Sequence, residues 1–148
     1  MINLNKKRSI GIVGVVIAVL AIGYAVYAII GSEKPPVYTL TDTSLEISAQ
    51  FGETIQLSDI LGVKLEDSMP DNLVKVSGAN MGSILRGSFR SDGTSMKIYV
   101  DTSVPPFIYL TTTKGLVIIN DQSASATRAL IGQIQQNLMP AGSPEPAS

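Results

Sequence analysis

Cysteine and histidine are both missing from this chain of 148 residues. Without cysteine the protein has no disulfides and no thiolate chemistry. Without histidine it lacks a principal zinc ligand and the commonest general base. Nucleophilic catalysis would have to rely on serine with lysine, or on carboxylates. We predict no metal and no cofactor, and we expect any exposed domain to be stabilised by its apolar core.

Charge is missing from one long segment, residues 9–30, whose 22 residues include no Asp, Glu, Lys or Arg. As a helix rising about 1.5 Å per residue, the segment spans about 33 Å, enough to cross a hydrocarbon core of about 30 Å. We therefore predict a transmembrane helix. A second interpretation is a signal peptide cleaved after Ala28, but the length of the segment and the outer aromatic rings of Tyr24 and Tyr27 favour an anchor.

The flanks of this segment predict its orientation. Lys6, Lys7 and Arg8 give residues 1–8 a positive charge, whereas Glu33 and Lys34 cancel on the other side. By the positive-inside rule the N-terminus is cytoplasmic and the rest of the chain is extracytoplasmic. The predicted localisation is the cell membrane, with a single pass.

Small residues recur at four-residue spacing within the segment. Gly14 and Ala18 form one pair, and Ala21 and Ala25 form another. Such spacing lets two transmembrane helices pack closely. Small residues are also common in transmembrane helices generally, and we favour that explanation over dimerisation.

Beyond residue 8 the chain carries eight cationic and twelve anionic residues, a net charge of −4. Phosphate recognition needs a clustered positive surface, so nucleic acid is disfavoured as a partner. A purely electrostatic grip on anionic lipids is disfavoured too. We divide this part into a linker (31–42), one domain (43–139) and a disordered tail (140–148).

Alternating apolar and polar residues predict that the domain is mainly β. Leu45–Ser48 is one such stretch, and Asp92–Gly93 is a two-residue turn signal between two others. We predict about seven short strands and read the turn-rich residues 67–83 as a long loop, within which a short strand at Leu73–Val76 is left open. Leu130, Ile134 and Leu138 then recur every fourth residue, which predicts an amphipathic helix over about 123–138. Asp121 or Ser123 would cap its start.

Strands followed by one amphipathic helix resemble the bacterial pleckstrin-homology (PH-like) domains of small membrane proteins of Gram-positive bacteria. The matching segments are Leu57–Ile60, Leu85–Phe89, Met96–Val100, Val104–Ile108, and Val117–Asn120 followed by the helix. The resemblance implies a strongly bent antiparallel barrel capped by a C-terminal helix. It also implies a binding or assembly module without a shared catalytic residue. Relatives often have two hydrophobic segments before the domain, whereas this chain has one, so phosphoinositide binding does not carry over.

The candidate binding residues are cationic. Alternation puts Arg86, Arg90 and Lys97 on one face of a hairpin, together with Ser88 and Ser95. That face could bind an acidic peptide or a polymer phosphate, although ordinary surface charge is the commoner explanation. Lys75, in the predicted 67–83 loop, is a fourth candidate.

The sequence leaves several functions open. We favour a non-enzymatic, membrane-anchored module that binds another envelope protein or copies of itself, and an open sheet edge can accept an added strand from such a partner. One alternative is a small envelope enzyme using serine or carboxylate chemistry, for which we consider Ser95 and Lys97, two residues apart on one strand face. Another is a structural subunit of a membrane complex, packed through Gly14 and Ala18.

Overall fold

The computed structural model describes the backbone of residues 4–139 and the side chains of residues 13–27 and 34–139. The predicted tail (140–148), the basic side chains of residues 6–8 and the side chain of Ala28 therefore lie outside the described residues. The described elements, in chain order, are α1 (Leu4–Glu33), β1 (Val37–Leu40), β2 (Ser44–Ser48), β3 (Thr54–Gln56), a 3₁₀ turn (Leu57–Asp59), β4 (Ile60–Glu66), β5 (Val74–Met81), β6 (Ile84–Ser91), β7 (Thr94–Asp101), β8 (Phe107–Thr112), β9 (Gly115–Ile119) and α2 (Ala124–Leu138).

The charge-free segment 9–30 lies entirely within α1, a helix of 30 residues. Every side chain described in it, from Val13 to Tyr27, is exposed. Its large apolar side chains are between 48% and 76% exposed. Among the residues with described side chains, which in α1 are 13–27, no helix combines the length and the apolar composition that a membrane crossing needs, so the transmembrane helix stays a prediction.

The strands of residues 4–139 form two sheets. A small antiparallel sheet has the order β1–β2–β3, and a larger one has the order β4–β8–β9–β7–β6–β5. All pairs in the larger sheet are antiparallel except β7 and β9, which run parallel with Met96 opposite Leu116. The prediction of a mainly-β domain ending in a helix is confirmed. The strands number nine rather than about seven, and the parallel pair departs from the antiparallel barrel that the resemblance implies.

The larger sheet buries apolar side chains on both faces. Successive residues of a strand point to opposite faces, and β8 and β9 each contain at least three consecutive buried residues. On the first face, Ile108, Leu110 and Ile119 pack against the small sheet and α2. On the second face, Phe89, Ile98 and Ile118 form a separate core, which the segment between β4 and β5 covers with Met69 and Leu73. That segment is tied down by hydrogen bonds from Tyr109 Oη to Ser68 O (2.8 Å) and from Ser91 Oγ to Asp71 O (2.6 Å).

The expectation that residues 67–83 are mostly loop was wrong. The short strand considered at Leu73–Val76 is the start of the eight-residue strand β5, which forms a hairpin with β6. Gly78 and Gly87 lie opposite each other in this hairpin, with φ of 119° and 115°. A Cβ on Gly78 would stand 2.0 Å from Arg86 O, so only glycine allows the two strands to approach this closely.

The C-terminal helix was predicted correctly. It spans Ala124–Leu138, and Ser123 caps its start by accepting a hydrogen bond from Ala126 N at 3.1 Å. Leu130, Ile131 and Ile134 are buried in the first core. The Asp92–Gly93 turn is also confirmed, with both residues at positive φ between β6 and β7, as a two-residue hairpin loop requires.

Candidate functional site

The strand register puts the predicted cationic residues of the hairpin on one face of the sheet, but they do not form an exposed patch. Arg86 lies opposite Tyr99, and Ser88 lies opposite Lys97, so these side chains do share one face of the sheet. Arg86, however, is only 2% exposed. Its end of the face is covered by Tyr38 of β1 and by the chain that joins α1 to β1. The prediction that Arg86 lies on an exposed face was therefore wrong, whereas its role in binding stays a prediction.

The other three candidates do not form one surface with Arg86. Arg90 is exposed at the far end of β6. Lys97 forms an ion pair with Glu53 of the small sheet, with Nζ and Oε2 2.5 Å apart. Lys75 lies opposite Phe89 and therefore on the other face of the sheet.

The Arg86 guanidinium is anchored through one nitrogen only. Nη1 donates to Leu85 O at 2.9 Å and to Val100 O at 2.5 Å. Nε and Nη2 carry the other three of the five donor hydrogens of an arginine, and they make no hydrogen bond to a described residue. Among the described side chains, no carboxylate oxygen lies within 4.0 Å of the guanidinium. Arg86 is thus a buried cation with unused donors.

Neighbouring groups partly offset the burial of this charge. Desolvation lowers the pKa of Arg86, while Tyr38 and Asp101 act in the opposite direction. Burial also raises the pKa of Tyr38 far above its usual value. Tyr38 is therefore a neutral phenol, and it donates to Asn120 O at 2.8 Å.

Asn120, directly after β9, makes side-chain hydrogen bonds that fix the backbone of Asp101 and Val104 beside Arg86. Its Oδ1 accepts from Asp101 N at 2.9 Å, and its Nδ2 donates to Asp101 O at 2.8 Å and to Val104 O at 2.7 Å. Burial tends to raise the pKa of Asp101, but hydrogen bonds from Ser103 and Ser83 and the charge of Arg86 together outweigh this effect and lower the pKa overall. The Asp101 carboxylate is therefore held in place and ionised.

These groups line a cavity of about 230 Å³, which we call the Arg86 cavity. It lies at the ends of β7 and β9, where the chain leaves α1. Its charged and amide side chains come from three separate segments, so the sequence contained no local signal for it. The lining residues are Pro35, Pro36, Ile84, Arg86, Asp101, Val104, Asn120, Asp121 and Gln122.

A second cavity of about 170 Å³ lies between β3 and the larger sheet, and it contains the serine–lysine pair considered above. Ser95 and Lys97 both line it. The Lys97 ammonium contacts the Glu53 carboxylate rather than Ser95. At the other side of the cavity, Lys114 Nζ lies 3.6 Å from an Asp59 carboxylate oxygen. Its described lysines are thus paired with acids, and no nucleophile-and-base arrangement is built from them.

Comparisons with known proteins return nothing that assigns this chain. No protein-family model matches it, and neither curated proteins nor solved structures show a significant match. The resemblance to bacterial PH-like domains therefore stays a prediction.

Proposed function

We propose that this protein is a non-enzymatic module that α1 anchors in the cell membrane and whose extracytoplasmic β domain associates with a second copy of itself. The observation that carries the proposal is the uncovered apolar surface of α1. The large apolar side chains between Val13 and Tyr27 point in all directions around the helix and are at least 48% exposed. A helix that is apolar on all sides needs an apolar environment around it.

Lipid is the environment that fits both the helix and its flanks. Nothing in the described part of the β domain covers residues 13–27, and the charge-free sequence extends beyond them on both sides, from 9 to 30. The cluster Lys6, Lys7 and Arg8 favours a cytoplasmic N-terminus. The domain would then lie outside, directly after the short link that ends at the buried Pro36.

The larger sheet offers an edge for self-association. β5 ends the strand order, and in its eight residues Lys75 is the only charge. Val74 and Val76 are 64% and 59% exposed, and a bulge leaves Val76 out of the register with β6. Exposed apolar edges with little charge accept an added strand.

The opposite edge, β4, is better protected. Lys64 and Glu66 form an ion pair on it at 2.7 Å. Val63 lies beside Leu138 and Met139 at the end of α2. Charge and a neighbouring helix both obstruct strand addition, so β5 is the edge that we assign to association.

A second copy is the partner that we propose for β5. An antiparallel pair of β5 strands is self-complementary, as a two-fold dimer requires. Anchoring would hold both copies in one orientation. Because α1 lies close to β5 and β6, the two anchors would also be near each other. The pairs Gly14/Ala18 and Ala21/Ala25 would then allow close helix packing.

The topology is tested by labelling single cysteines, which is clean because the chain has none of its own. We expect a membrane-impermeant maleimide to label Asp92→Cys in intact cells, since this residue lies at an exposed turn. Asn3→Cys should be labelled only after the membrane is permeabilised. The reverse pattern, or release of both variants into the soluble fraction, would reject the anchored topology.

The association is tested with two matched substitutions. Val76 and Leu61 are both exposed, bulged residues of edge strands, on β5 and β4 respectively. We expect Val76→Lys to weaken self-association at least tenfold in vesicles, measured by energy transfer between labelled copies, because each copy would then add a charge to the apolar edge that the two strands share. Leu61→Lys should have no effect. Equal effects of the two substitutions, or a monomeric wild type, would disprove pairing through β5.

A further inference from the structure

We infer that the Arg86 cavity binds a small zwitterion, a molecule whose anionic group lies a few bonds from an ammonium group. Arg86 has hydrogen-bond donors that no described residue accepts. A residue only 2% exposed has Nε and Nη2 without a described partner, and it lines an open cavity. A guanidinium edge of this kind binds a carboxylate or a phosphate through two parallel hydrogen bonds.

Two carboxylates in the same cavity indicate that the ligand also carries a cationic group. Asp101 and Asp121 line it together with Arg86. A simple anion on Arg86 would be repelled by both carboxylates, and a simple cation would be repelled by the guanidinium. A ligand that places its anion on Arg86 and an N–H donor toward the aspartates satisfies all three groups.

The site is built before the ligand arrives. Two backbone carbonyls hold Arg86 Nη1, so its free edge has a defined direction. Asn120 fixes the backbone on both sides of Asp101, and Asp121 Oδ1 accepts from Gln122 N at 2.7 Å. Fixed groups lose little entropy on binding.

Size and access agree with a ligand of several non-hydrogen atoms. The cavity of about 230 Å³ far exceeds the roughly 10–15 Å³ that one water needs. Pro35 and Gln122, which line it, are both exposed, so a ligand can enter from solvent.

Free amino acids and the phosphoethanolamine headgroup of a lipid share this chemistry. The lipid source rests on the proposed membrane anchoring, because Pro35 and Pro36 follow α1 almost directly. A free zwitterion needs no anchoring. The two sources are therefore separate arms of one experiment.

The experiment uses the full-length protein in nanodiscs made only of phosphatidylcholine. Calorimetry would measure the binding of O-phosphoethanolamine, glycine, phosphocholine and inorganic phosphate. We expect O-phosphoethanolamine or glycine to bind at least tenfold more tightly than inorganic phosphate. Phosphocholine should be weak as well, because its quaternary nitrogen has no N–H donor for the aspartates.

Two variants identify the groups responsible. Arg86→Lys should weaken binding of the preferred zwitterion at least tenfold, because lysine lacks the bidentate edge. Asp121→Asn should keep the hydrogen bond from Gln122 N but reduce the preference for the zwitterion over phosphate. Since Asp121 is partly exposed, this variant keeps the test valid if the Arg86 variant does not fold.

The lipid arm repeats the measurement in nanodiscs containing phosphatidylethanolamine. If phosphatidylethanolamine weakens the binding of the soluble zwitterion, the lipid headgroup occupies the cavity. If the affinity for the soluble zwitterion is the same in both kinds of nanodisc, the ligand is a free zwitterion. Phosphate binding as tight as that of the zwitterions, or no binding of any probe at millimolar concentration, would overturn the inference. Such a failure would leave the maleimide result on topology unaffected.

Discussion

The two helices of this protein differ in what covers their apolar side chains. α2 buries one stripe, including Leu130, Ile131 and Ile134, against its own domain, and exposes polar residues elsewhere. α1 has apolar side chains all round, and none of those described is covered by the rest of the described chain. The apolar stripe of an amphipathic helix is covered by the rest of its own domain. A helix that is apolar on every side needs an environment from outside the fold.

The largest expected effect tests the environment of α1. Replacing both Val15 and Val19 with lysine would place two charges near the middle of the segment, at a cost of about 3 kcal/mol each in a membrane. We expect the protein to move from the membrane pellet to the supernatant after alkaline carbonate extraction. The control replaces the same two residues with leucine and should stay in the pellet. Retention of the lysine variant would mean that something other than lipid covers α1.

A smaller effect is expected for the buried stripe of α2. Ile134 is completely buried in the first core, so Ile134→Ala should lower the free energy of unfolding by about 3 kcal/mol through lost burial and a cavity. Chemical denaturation of the full chain in detergent would measure it.

The matched control for that variant lies two residues away. Gln136 is exposed on the same helix, so Gln136→Ala should change the unfolding free energy by less than about 0.5 kcal/mol. Neither substitution should alter carbonate extraction. An Ile134→Ala variant that left the membrane would show that the two helices are not independently stabilised.

The smallest effect concerns the start of α2. Ser123→Ala removes the hydrogen bond to Ala126 N and should cost about 1 kcal/mol in unfolding free energy. Ser123→Asp should retain most of the stability, because aspartate caps a helix equally well. Thermal melting of both variants beside the wild type gives the comparison. Equal losses in the two variants would show that capping is not what Ser123 contributes.

Local patterns predicted the elements that depend on neighbouring residues in the chain. The spacing of Leu130, Ile134 and Leu138 placed α2, and Asp92–Gly93 placed the hairpin between β6 and β7. Both signals act over a few residues, and the surrounding fold agrees with them. The same kind of reasoning indicated only the first residues of β5, because the serine, glycine and asparagine that follow have low strand propensity.

What stabilises β5 is its pairing, which no local pattern shows. Gly78 and Gly87 face each other at positive φ, and a Cβ on Gly87 would lie 2.5 Å from Ser77 O. Each glycine is required by a strand that lies across from it. The sequence of either strand alone contains no sign of this requirement.

Sequence alone determined the two helices, the hairpin and the mainly-β character of the domain, because periodicity and turn chemistry are local properties. Alternation also determined which face of β6 carries Arg86. Only the tertiary structure decided what covers that face. The small sheet and the chain leaving α1 turn a predicted surface cation into a buried one, with Asp101 and Asn120 brought beside it from distant strands. Burial depends on contacts between segments far apart in the chain, and those contacts gave Arg86 its candidate role.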